Sequence, residues 1–152
     1  MSMSASFSYD RFLSLTGSEL VSYVEPFLTT QSEAIPEAVY DLLQPKFADL
    51  DNEHTVYALE ICMLLKPSEF VLCAITFLSH PDAAVCCAAY NSINRLPPAL
   101  MPADLVAKVA TTTTVDLFAP DLRSSDRIRI GTNEGFIHDL VAKFAQKTGE
   151  TT

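Results

Sequence analysis

Glycine is scarce in this sequence. Only four occur in 152 residues, at positions 17, 131, 135 and 149, and none lies between residues 18 and 130. A Gly-rich phosphate cradle of the P-loop or dinucleotide-binding kind is therefore excluded from that stretch. Long hydrophobic runs are missing as well. The most apolar, Phe70 to Leu78, is far shorter than the roughly 20 residues needed to span a bilayer. The opening residues MSMSASFSYDRF lack the basic and apolar regions of a secretory leader, so a cytoplasmic location is expected. Bases are few, ten against 19 acids, for a net charge of −9. Such a chain repels nucleic acid and anionic lipid headgroups, so neither is expected as a partner. The four cysteines are too few for a disulfide scaffold. Cys62, Cys73, Cys86 and Cys87 sit in apolar, helix-like stretches and read as reduced core thiols.

What is present is apolar. Hydrophobic residues make up 49% of the chain, enough to build a core and too many for a disordered one. The length is that of one domain, residues 1–152. The acid is unevenly placed: residues 1–80 hold eleven acids and three bases, residues 81–152 eight acids and seven bases. An acidic half is either a solvated surface that maintains solubility or a face that steers a basic partner into register.

Periodicity predicts helices throughout. Thr16 with Glu19 forms a capping-box pattern ahead of Leu20, Val21, Val24, Phe27 and Leu28, and Pro26 should kink or end that helix. A second helix is expected from Pro36 to Asp49, bent at Pro45. A third should be capped by Asp51, with His54, Ala58, Ile61, Cys62 and Leu65 on its buried face. Pro36, Pro67, Pro81 and Pro102 each suit a first helical turn. The fourth helix, opened by Pro67, is apolar all round from Phe70 to Leu78 and should be covered on several sides. A fifth aligns Val85, Ala89, Ile93 and Leu96 before Pro97 and Pro98.

These helices repeat. A shift of 31 residues places Val39 on Phe70, Leu43 on Ala74, Phe47 on Leu78, Asp51 on Asp82, Ala58 on Ala89, Cys62 on Ile93, Leu65 on Leu96 and Pro67 on Pro98. The segment FVLCAITFLSHPDAAVCCAAYNSINRLP carries the Pro-Asp turn at Pro81 and Asp82, then Val85, a small residue at Ala88 or Ala89, and Leu96-Pro97. It resembles a HEAT-type helical repeat, and Val39 to Pro67 resembles it less closely. It departs at Cys86, where such repeats often carry an arginine. The resemblance implies an all-α fold, a short α-solenoid of antiparallel helix pairs with about seven helices. The repeat units would cover residues 36–66 and 67–97. It implies a fold and no activity.

Beyond Pro98 the pattern loosens. A helix from Pro102-Ala103-Asp104 runs through Leu105, Val106 and Val109 into four consecutive threonines, a poor continuation. Within an irregular segment, 111–132, the alternation Arg127-Ile128-Arg129-Ile130 could pair as a small β-hairpin with Thr113 to Phe118. A capping helix, 133–147, closes the chain. Its buried stripe is Phe136, Ile137, Leu140, Val141 and Phe144, with Lys143 and Lys147 near its C-terminal end.

No catalytic motif is present. Cys86 and Cys87 point about 100° apart on a helix and cannot share a metal. His54, His80 and His138 lack ligand spacing, so neither metal nor cofactor is expected. Arg123, Arg127 and Arg129 could grip an anion or pair with the chain's own acid. Asp41, Asp49, Asp51, Glu53 and Glu60 cluster around the junction of the second and third helices, with Tyr57 as an aromatic anchor. As an exposed ridge they point to a non-catalytic, protein-binding module: a small acidic inhibitor or immunity protein that occludes a basic toxin or nuclease. Two alternatives stand beside it. One is a secretion chaperone or adaptor holding an apolar segment. The other is an enzyme using His138, Asp139 and Arg127 or Arg129. The oligomeric state is left open.

Overall fold

Two aspartates 31 residues apart each open a long helix. Asp51 is extended and its Oδ1 accepts the His54 N–H at 2.8 Å, capping the helix Asn52–Leu65. Asp82 does the same for Ala83–Asn94, accepting from the N–H groups of Ala84 at 2.9 Å and Val85 at 3.2 Å. Each satisfies amides that the first helical turn leaves without partners. The computed structural model describes residues 7–30, 32–97, 104–120, 123–124 and 126–148, with side chains for all but 32 and 146–148. Pro98, Pro102, Ala103 and the Lys147 side chain lie outside the described residues.

The fold is mostly helical, with a two-stranded antiparallel hairpin before the C-terminal helix. Among the described residues there are eight α-helices: α1 (Tyr9–Ser14), α2 (Gly17–Thr29), α3 (Ala38–Leu43), α4 (Asn52–Leu65), α5 (Pro67–Thr76), α6 (Ala83–Asn94), α7 (Leu105–Ala110) and α8 (Glu134–Thr148). The strands are β1 (Asp116–Pro120) and β2 (Arg127–Thr132). No helix among the described residues is long and apolar enough to cross a membrane. The chain divides into two compact units, Met1–Lys66 and Pro67–Thr152.

In the first unit α2 and α3 pack against α4. Phe7, Phe12, Tyr23 and Phe27 form an aromatic cluster at one end. Phe7 meets Phe27 edge-on at 5.3 Å and lies 5.6 Å from Phe12. Helix α1 is an addition that periodicity did not reveal; six residues are too few for a helical stripe. Ser8 caps it, its Oγ accepting from the Arg11 N–H at 3.2 Å. The capping box expected of Thr16 and Glu19 does not form, since the Thr16 side chain makes no cap bond. The first amide of α2, Gly17, instead donates to Glu53 Oε2 of α4 at 2.9 Å. Pro26 does not end α2, which continues to Thr29. After α3 the chain tightens into a 3-10 turn, Gln44–Asp49, because Pro45 has no N–H to carry the α-helical ladder onward.

In the second unit α5 and α6 pack together, α8 packs on α6 and α7, and β1 lies against α6. Pro67 is the first residue of α5, as expected, whereas Pro36 and Pro81 precede the caps of α3 and α6. Helix α5 is not covered all round. Phe70, Val71, Ala74 and Ile75 are buried, but Leu72 is 37% exposed and Thr76 is exposed too. The buried row Val85, Ala89, Ile93 and Leu96 of the α6 segment is as expected, as are Ile137, Leu140 and Phe144 of α8.

The hairpin pairs Asp116 with Thr132 and Pro120 with Arg127. A bulge between Leu117 and Phe118 leaves Ile130 without an opposite residue. Gly131 beside it has φ +149°, a conformation side chains resist. On the other edge of β1, the Phe118 N–H donates to Pro81 O at 2.8 Å, which ties the hairpin to the turn before α6.

Candidate functional site

The acidic residues singled out above fall into three groups. Glu53, Tyr57 and Glu60 stand at helical spacing on α4, and α2 packs alongside. The Tyr57 hydroxyl has its pKa raised, first by partial burial and then by the charges of Glu60, Glu53 and Glu25. Three carboxylates from two helices thus act on one half-buried phenol. Glu25 lies on α2 and belongs to this cluster, although no sequence spacing links it to α4.

Asp51 has a structural task. Besides capping α4, its Oδ1 lies 2.7 Å from His54 Nδ1. Burial pushes its carboxyl pKa upward, but the His54 backbone N–H, ring and charge outweigh that and hold it below the usual value. On the other side of the buried ring, His54 Nε2 faces Leu15 O at 2.9 Å and Phe12 O at 3.2 Å. Both ring nitrogens therefore face oxygen atoms. Asp51 and His54 fasten α4 to the end of α1. Asp41 on α3 and Asp49 at the end of the 3-10 turn are exposed, and neither is among the charges acting on Tyr57. Glu53 serves twice, in the cluster and as the acceptor for α2.

The residues of the enzymatic alternative do not converge. Arg127 donates to buried Asp82 Oδ2 at 2.7 Å and to Phe118 O at 3.1 Å. Arg129 donates to Asp116 at 2.9 Å. Both arginines thus pair with the chain's own acid. Asp139 accepts the Tyr90 hydroxyl, which raises the Tyr90 pKa, while Tyr90 stacks on Phe136 at 4.6 Å. His80 accepts the Asp82 N–H at its Nδ1, at 3.0 Å. The Cys86 thiol, pushed up to about 12 by burial and by Cys87, donates to Leu78 O. Cys73 and Cys87 are only half-buried, unlike Cys62 and Cys86, and all four are free thiols. Among the described residues no group of three or more His, Cys, Asp or Glu side chains is placed to hold a metal ion.

Compared with family models, curated proteins and solved structures, the chain matches none.

Proposed function

We propose that this chain is a non-catalytic, cytoplasmic protein-binding module with HEAT-like helix pairs, and that its acidic face takes a basic protein. The concrete form is an inhibitor or immunity protein that blocks the phosphate-binding groove of a basic toxin or nuclease. One observation carries the reading: Glu53, Tyr57 and Glu60 stand at helical spacing on α4 with α2 packed alongside, and the charges of Glu60, Glu53 and Glu25 add to burial in raising the Tyr57 pKa. An aromatic ring held among carboxylates suits an arginine or lysine, which can stack on the ring while its charge is met. A concentration of one charge also accelerates capture, useful for an inhibitor that must act before damage is done.

The test avoids Asp51 and Glu53, whose caps would confound it. Wild-type chain and a Glu25→Gln, Glu60→Gln, Tyr57→Ala variant are immobilised side by side and exposed to lysate of the producing cell. A basic protein held at low salt by the wild type alone, and inhibited by it, is the expected result. A partner held equally by both, or retained at high salt, overturns the acidic face and favours the apolar chaperone.

A further inference from the structure

We draw no further inference here: the strongest candidate, the exposed apolar patch that Ile128 and Ile130 form on strand β2 of the hairpin, carries nothing, because nothing in the structure shows what covers it.

Discussion

Asn133 shows how much one side chain can hold. It is fully buried; its amide donates to Leu78 O at 2.6 Å and Thr113 O at 3.0 Å, and its oxygen accepts the Val115 N–H at 2.9 Å. Three main-chain groups from two separate segments thus depend on it. Asn133→Ala would remove all three bonds and leave the Val115 N–H without its acceptor, while Leu78 O keeps the Cys86 thiol and Thr113 O the Ser79 hydroxyl, and should cost about 1–3 kcal/mol in urea unfolding. His80 makes a different contribution, one that depends on pH. Burial lowers its pKa from 6.5, Asp82 opposes this, and Arg127 adds to the lowering. Its Nδ1 must stay unprotonated to accept the Asp82 N–H. A folded pKa below the unfolded value means that the unfolded chain takes up the proton first. The contribution is complete above about pH 6.5 and is lost as pH falls through the lowered value. His80→Asn, which keeps an acceptor but does not titrate, should flatten the decline in Tm below about pH 6.5.

At the level of elements, much of the fold was legible because its signals are local. Asp51 and Asp82 are caps that any first turn requires, and the 31-residue shift aligns them. Some of the positions it pairs are buried alike, Val39 with Phe70, Ala58 with Ala89 and Cys62 with Ile93, whereas Phe47 and Leu65 are only half-buried against buried Leu78 and Leu96. The alternation at Arg127 to Ile130 announced a strand, and the strand is there. What was illegible depended on distant neighbours. The Thr16 capping box does not form, and the Gly17 amide is met by Glu53, 36 residues away, a contact that no local spacing announces. The β2 edge was not readable either. Its exposed arginines and the bulge at Ile130 keep that edge from inviting another strand. The two arginines differ in weight. Arg127 answers a carboxylate that is 9% exposed, whereas the Arg129 and Asp116 side chains are both more than half exposed. Arg127→Met takes the guanidinium away from buried Asp82, which keeps its bonds to the Ala84 and Val85 amides, and should cost about 1–3 kcal/mol. Arg129→Met should cost less than about 0.5 kcal/mol by the same unfolding measurement.

For the molecule as a whole, charge follows the division of the chain. Residues 1–66 hold ten acids and three bases, and residues 67–152 nine acids and seven bases. The site expectation was partly legible for a similar reason. The spacing of Glu53, Tyr57 and Glu60 is a property of one helix, whereas Glu25 joins through the packing of α2 on α4, which one sequence does not encode as a pattern. Asp51 was ambiguous from the start, since the residue type that suits a binding ridge also suits a cap. If the remaining acid serves to capture a basic partner, salt must act on the rate of encounter. The Debye length contracts from about 10 Å at 0.1 M to about 3 Å at 1 M, so steering fades while contacts in a formed interface persist. With the captured partner, stopped-flow association should therefore slow by about tenfold or more across that range, with dissociation changing far less. Glu25→Gln with Glu60→Gln should reduce the salt dependence of association. Tyr57→Ala should act instead on dissociation, because an anchor holds a complex that charge has already assembled. An association rate indifferent to salt would mean that the acid only solvates the first unit, and the binding face would have to be sought elsewhere.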